Sequence, residues 1–363
     1  MKKIHVAGAL AVGFALIAGG CQKPIPASYS PDGKALAYVK KGQLVLNSSG
    51  RESIVANTRP DSIAWSPDGA YFAWSVGGRS VTNHRKPESV PDEIWILDVA
   101  RGRKAKSTGV DGPLGWLNGD LVGVDVRGRK PQLATMDPDS GQIRTEVEID
   151  RAPSELTPGT NRRELYVGGS DQLGGWSMFD GLHLTHMSGT DGTAPVSLGA
   201  RETAFLAGPQ RLPLREVKIS RWSGDHLEQA VLLKIPDRAG RRHGISIMPF
   251  GVVASADLGV VATSVITARG SVHDETELVQ LMRKYNVTVL DDRKLPKAIQ
   301  AEVHRLTDQM KFGELVFCWG TDGERRLIAE YDNSKEFHQI AIDPSGQHLA
   351  LCGDKGVKIV PLN

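Results

Sequence analysis

Tyr29-Ser-Pro-Asp-Gly-Lys-Ala-Leu-Ala-Tyr38 lies without a gap over Trp65-Ser-Pro-Asp-Gly-Ala-Tyr-Phe-Ala-Trp74. A third copy, Ile342-Asp-Pro-Ser-Gly-Gln-His-Leu-Ala-Leu351, stands near the C-terminus, and degenerate relatives start at Trp116, Ser255 and Trp319. The chemistry of the repeat is that of a tight corner. Pro31 and Pro67 preset φ for the first central position of a type I turn, Asp32 and Asp68 suit the second, and Gly33 and Gly69 supply the left-handed residue that follows. A type I turn plus a glycine bulge is a standard hairpin connection. The strand after each corner is rich in apolar residues, Lys34-Ala-Leu-Ala-Tyr-Val39 and Tyr71-Phe-Ala-Trp-Ser-Val76, and a lone hairpin cannot bury both of its faces.

Each copy is followed by a second pair of strands with its own turn. Gln43-Leu-Val-Leu46 turns at Asn47-Ser-Ser-Gly50 into Glu52-Ser-Ile-Val55, and Gln132-Leu-Ala-Thr-Met136 turns at Asp137-Pro-Asp-Ser-Gly141. Four strands per unit of roughly 40–50 residues is the arithmetic of a β-propeller blade. The expected fold is all-β, a propeller of about seven four-stranded blades (six or eight being the neighbouring counts) that start near residues 28, 61, 111, 153, 200, 245 and 336.

The aromatic-Ser-Pro-Asp-Gly corner followed by a Leu-Ala-Tyr or Phe-Ala-Trp strand resembles the TolB-type, WD-repeat-like propeller family. The likeness is strongest over 28–104, fair over 336–363 and weak between. It implies a docking body within the cell envelope, since that is what the propeller does in the TolB family. The α/β domain that precedes the TolB propeller has no counterpart before Ser28, so the same complex is not expected.

Residues 271–312 depart from the repeat and are expected to form a helical elaboration of the sixth blade, with a small separate α/β subdomain as the alternative. Asp274-Glu-Thr-Glu-Leu-Val-Gln-Leu-Met-Arg-Lys284 opens with acids and closes with bases, as helices prefer. Pro296 opens a second helix, in which Ile299, Val303, Leu306 and Met310 recur at spacings of four, three and four. An apolar strand, Asn286-Val-Thr-Val-Leu290, is expected between them. The last blade shows only three strands over 336–362. Its fourth is expected either from the N-terminal tether or from the hairpin over 315–331.

The N-terminus reads as an address. Lys2 and Lys3 precede an apolar run over 4–18 that suits a signal-peptide core better than a permanent membrane span. It ends in Ile17-Ala18-Gly19-Gly20-Cys21, which resembles the lipobox of bacterial lipoproteins, with Ala18 where that family most often has Leu. The resemblance implies a leader over 1–20, acylation of Cys21, and a tether over 21–27 holding a propeller over 28–363. Gln22 after the cysteine implies sorting to the outer membrane. The partners expected are thus the membrane, through the lipid, and an envelope protein, peptide or glycan.

The 363 residues carry 44 Lys+Arg against 42 Asp+Glu, and loss of residues 1–20 removes two lysines and no acid. That balance lacks the basic surplus of a nucleic-acid binder. With 40% hydrophobic and 24% charged residues, the composition also argues against wholesale disorder and against a polytopic membrane protein.

Motifs of catalysis are missing: there is no Gly-x-Ser-x-Gly elbow, Walker loop, His-Glu-x-x-His helix or EF-hand loop. No metal or other cofactor is expected, and His183 and His186, three apart in an apparent strand, should face opposite ways. Cys318 and Cys352 sit in apolar strands and form either a disulfide or two buried thiols. Candidate interaction loops are the long polar stretch over 77–92, with Arg79, His84, Arg85 and Lys86, and the segment over 170–180, with Trp176, Met178 and Phe179. Trp65, Trp74 and Trp95 read as blade packing. The expected function is a non-enzymatic docking scaffold. The alternative is a lyase or hydrolase with a composite site over the central channel.

Overall fold

The Ser-Pro-Asp-Gly corners fold as their chemistry requires. In a computed structural model of the chain, Gly33, Gly69 and Gly346 all take φ near +72°, each donating its amide to the carbonyl three residues back. Ser30 Oγ donates to Asp32 Oδ1 at 2.7 Å and accepts the Ala35 amide at 2.9 Å; Ser66, Asp68 and Tyr71 repeat the pattern. The third copy exchanges the two roles: Ser345 Oγ donates to Asp343 Oδ2, and Asp343 Oδ1 takes the His348 amide. The structure describes residues 27–77, 93–107, 110–125, 127–153, 155–158, 163–168, 176–187, 195–197, 202–207, 216–223, 226–235, 244–255, 259–285, 296–320, 323–332 and 338–362.

Among the described residues twenty-seven strands form seven antiparallel sheets, each in simple sequence order. The first holds β1 (Ser28–Tyr29), β2 (Ala35–Lys40), β3 (Gln43–Ser48) and β4 (Arg51–Ala56). Next come β5 (Ser62–Trp65), β6 (Tyr71–Val76), β7 (Glu93–Asp98) and β8 (Arg103–Ser107). The third comprises β9 (Asp111–Leu117), β10 (Asp120–Asp125), β11 (Gln132–Met136) and β12 (Ile143–Glu148). In the fourth are β13 (Glu155–Pro158), β14 (Leu165–Gly168), β15 (Trp176–Phe179) and β16 (Leu184–Met187). The fifth contains β17 (Pro195–Ser197), β18 (Glu202–Ala207), β19 (Glu216–Ser223) and β20 (His226–Lys234). The sixth is built of β21 (Ile245–Ala254), β22 (Val261–Arg269), β23 (Lys311–Trp319) and β24 (Arg325–Tyr331). The last sheet has three strands among the described residues: β25 (Gln339–Ile342), β26 (His348–Gly353) and β27 (Gly356–Pro361).

First strands touch first strands, β5 against β9, β9 against β13, β21 against β25 and β25 against β1, so they line the axis and the later strands run out to the rim. The corners follow one another round that axis. A Cβ on Gly69 would meet Pro31, one on Gly33 would meet Pro344, and one on Gly346 would meet Ser255. The indole of Trp65 donates to Ser28 O and that of Trp116 to Ala64 O, each reaching back to the preceding first strand. This is a seven-bladed propeller. Of the degenerate repeats, those at Trp116 and Ser255 are first-to-second-strand corners. The one at Trp319 joins the third and fourth strands of the sixth sheet instead.

Burial explains the ring. Alternate residues of a strand face opposite sides of its sheet, so each sheet has two apolar faces to cover. Ala37, Leu44, Trp65, Phe72 and Trp74 fill the wedge between the first two sheets. Leu36, Tyr38, Val45, Ala350 and Cys352 fill the one between the last sheet and the first. Each fully buried Leu, Ile, Val or Phe is worth about 1.5–3 kcal/mol, a gain an isolated blade forgoes.

Helices α1 (Val272–Tyr285) and α2 (Lys297–Asp308) are inserted between β22 and β23. Leu278, Val303, Leu306 and Met310 pack them on Ile245, Ile266 and Ala268 of the sixth sheet. The strand expected over 286–290 lies outside the described residues. The hairpin over 315–331 belongs to the sixth sheet as β23 and β24 and so does not complete the last one.

Candidate functional site

Strand order gives the disc two unlike faces. On one lie the connections between first and second strands and between third and fourth, none longer than six residues. We call this the turn face. The opposite, loop face carries the second-to-third-strand connections, which run to sixteen residues between Val76 and Glu93 and to forty-one, with both helices, between Arg269 and Lys311. It also carries the links from sheet to sheet.

A buried polar cluster lies towards the loop face between the sixth and seventh sheets. Glu314, on β23, is fully buried. Its Oε1 accepts the hydroxyl of Ser264 on β22, both oxygens share the backbone amide of His338 at 3.1 Å, and Oε2 takes His338 Nδ1 at 2.7 Å. The imidazole stacks on Tyr331 with ring centroids 4.2 Å apart, and its side chain keeps 19% exposure. Burial and the negative charge of Glu314 push the Tyr331 hydroxyl above its usual pKa. Full burial of a carboxylate is costly unless its oxygens are satisfied; here the Ser264 hydroxyl and the amide and ring N–H of His338 satisfy them. The carboxylate accepts the Nδ1–H and so orients the ring. Neither His338 nor Glu314 is among the candidate residues read from the sequence. The available signal was a single acid in the otherwise apolar run Leu315-Val-Phe-Cys-Trp319 and its approach.

The expected site residues fare differently. Cys21, Arg79, His84, Arg85 and Lys86 lie outside the described residues. Trp176 and Phe179 are not exposed loop anchors: they are 1% and 0% exposed, on β15, and Met178 beside them is half-buried. The Gly-Gly pair before them suggests a loop, but pairing of β15 with both β14 and β16 carries Trp176 against Tyr166 and Met187 and Phe179 towards the third sheet. Gly168 makes the room, for a Cβ there would stand 2.8 Å from the Trp176 ring.

Cys318 and Cys352 form no disulfide. Cys318 faces the wedge between the sixth and seventh sheets, whereas Cys352 points to the other side of the seventh, into the wedge with the first. Burial raises the Cys352 thiol far above its usual pKa. His183 and His186 are exposed. Among the described residues no three His, Cys, Asp or Glu side chains group as a metal site, and no helix is long and apolar enough to cross a membrane.

Comparison with solved structures agrees with the geometry. The chain is similar to the RRP9 WD40 repeats (14% identity, 95% of this chain and 96% of that one, TM-score 0.51). It is also similar to the β-propeller domain of Cps50 (Swd1) from Myceliophteria thermophila (15%, 94% and 97%, TM-score 0.50). TolB from Acinetobacter baumannii aligns more loosely, at 12% identity over 91% of this chain and 70% of that one, with a TM-score of 0.42. The fold is that of a WD-repeat-like β-propeller. At these identities the likeness speaks for the fold. No family model matches the chain, and no curated protein matches it.

Proposed function

We propose that this protein is a non-enzymatic, lipid-anchored propeller that docks an envelope protein, peptide or glycan through its loop face, tethered by acylated Cys21 to the periplasmic side of a bacterial membrane, most naturally the outer one. The observation that carries the reading is the one-sidedness of the loops. A closed ring needs only short hairpins on either face, yet every connection beyond ten residues belongs to one of them. Long loops on a rigid scaffold are where propellers and other β folds hold their binding residues. The basic stretch with Arg79, His84, Arg85 and Lys86 falls in one of these loops, which favours a partner with acidic or phosphate groups. The membrane arm of the reading rests on the lipobox-like run ending at Cys21.

Site-specific photocrosslinking in intact cells tests it. Probes at loop-face positions 84 and 273 should give adducts of discrete mass, while probes at turn-face positions 50 and 101 should give none. Equal labelling of both faces, or none from either, defeats the docking reading. Incorporation of a clickable fatty acid that disappears in Cys21→Ser supports the anchor, and labelling that persists refutes it.

A further inference from the structure

We infer that the rim of the seventh blade is a second docking surface, which takes an extended segment of a partner polypeptide as a fourth strand beside the three described ones. Among the described residues six sheets have four strands and the last has three, so β27 is the outermost described strand of its sheet, with the composition of an inner one. Three of the other outermost strands are rich in charge: β8 reads Arg-Lys-Ala-Lys-Ser, β12 Ile-Arg-Thr-Glu-Val-Glu and β24 Arg-Arg-Leu-Ile-Ala-Glu-Tyr. Charge on an edge strand is how sheets discourage further pairing. β27, Gly-Val-Lys-Ile-Val-Pro, has one charge and three β-branched residues. It is an unguarded edge.

Its hydrogen-bonding groups point where a fourth strand would lie. Leu362 donates its amide to Gln347 O, which fixes the alternation along β27. Even-numbered residues turn their amides to β26, and Val357 and Ile359 turn theirs outward. Pro361, with no amide to offer, falls in the outward set. The side chains agree. Ile359 pairs with Ala350, and Ile54 on β4 pairs with Val45; both partners face the wedge between the last and first sheets. The two isoleucines stay 48% and 55% exposed because none of the described residues covers that wedge at its rim.

The occupant follows from the same alternation. Residues of an added strand that face the first sheet meet Ile359 and Ile54 and must be apolar. Those between them share a side with the exposed Lys358 and are best acidic. The partner therefore offers an alternating apolar–acidic strand, recognised by main-chain pairing. The chain's own leader is a poor candidate, a step that rests on the acylation of Cys21 proposed above. Only residues 22–26 would then separate the lipid from Ala27, two of them proline, whereas β27 is six residues long.

The test uses the full chain purified in mild detergent, with the peptide acetyl-(Val-Glu)3-amide as probe and site-resolved hydrogen exchange as readout; the mass of the N-terminal fragment reports acylation separately. Saturating peptide should slow exchange at Val357 and Ile359 at least tenfold. Ile359→Pro, which deletes an outward amide and spares the bonds to β26, should abolish the effect. Should that variant unfold, Lys358→Glu should instead prefer acetyl-(Val-Lys)3-amide. Three results overturn the inference. One is slow exchange at both amides without peptide at every protein concentration, meaning that the chain fills its own rim. Another is protection that grows with protein concentration, meaning a second copy. The third is no response to either peptide. The loop-face crosslinks are independent of all three.

Discussion

The smallest unit of this fold is a hydroxyl held by a carboxylate across a four-residue corner. Ser30 and Asp32 exchange places in Asp343 and Ser345 without loss of the bond, because either order puts an acceptor over the amide that opens the next strand. This exchange explains why Ser-Pro-Asp-Gly and Asp-Pro-Ser-Gly are one motif, a point that letter matching alone understates. The bond also sets a pH dependence. The Ser30 hydroxyl and the Lys34 amide draw the Asp32 carboxyl down to about 2. A carboxyl whose folded value lies below its unfolded one, about 3.9, contributes stability that is fully present above the unfolded value and is lost as pH falls through the folded one. Asp32→Asn keeps an acceptor but cannot titrate. Between pH 4 and pH 2 its urea midpoint should fall less steeply than that of the wild type, and parallel curves would refute the assignment.

At the scale of elements, the sixth sheet shows how a buried charge is used. Glu314 joins β22, β23 and the approach to β25 through three donors, so it fastens the last sheet to its neighbour from inside the wedge. Glu314→Ala strands Ser264 and the His338 ring in a buried site and should cost about 3–5 kcal/mol. Glu314→Gln retains one acceptor oxygen and should cost about 1–3 kcal/mol. Urea unfolding separates the two, and equal losses would mean that the cavity rather than the charge sets the cost. The same sheet marks the limit of what its sequence discloses. Helices α1 and α2 are legible because Val303, Leu306 and Met310 repeat at helical spacing, a local signal, and the corners are legible because four adjacent residues specify them. Glu314 and His338 meet only after β24 has folded back between them. Cys318 and Cys352 are kept apart by strand parity on two sheets, and Trp176 lost its expected exposure to a strand pairing that the adjacent glycines obscure. Local chemistry names the elements, while the neighbours of a side chain depend on which sheets share a wedge.

For the whole molecule the distinctive wedge is the one where the ring closes, because there the two ends of the described chain meet. Elsewhere, successive sheets are covalently continuous, and polar contacts such as Glu314 with His338 and Trp116 with Ala64 add to the apolar packing between them. Between the last sheet and the first, polar clasps supplement the packing: the Gln339 amide bonds both the N–H and the C=O of Val39 at 3.1 and 3.0 Å, and Asp354 takes the Lys41 amide at 2.6 Å. Tyr38 and Lys40 both bond Glu52 at the same boundary. A strand-like clasp made by one side chain is a point of failure, since its loss leaves two backbone groups without partners, at about 1–3 kcal/mol each when they are buried. Gln339→Ala should therefore open the ring before it melts the blades. Native-state hydrogen exchange would then quicken most in β2 and β25, and least in the third and fourth sheets across the disc, because sub-global openings follow the weakest boundary. Arrays of repeats unfold this way when coupling between neighbours is uneven. Uniform acceleration through all seven sheets would instead mean that closure is shared around the ring and that Gln339 has no special place in it.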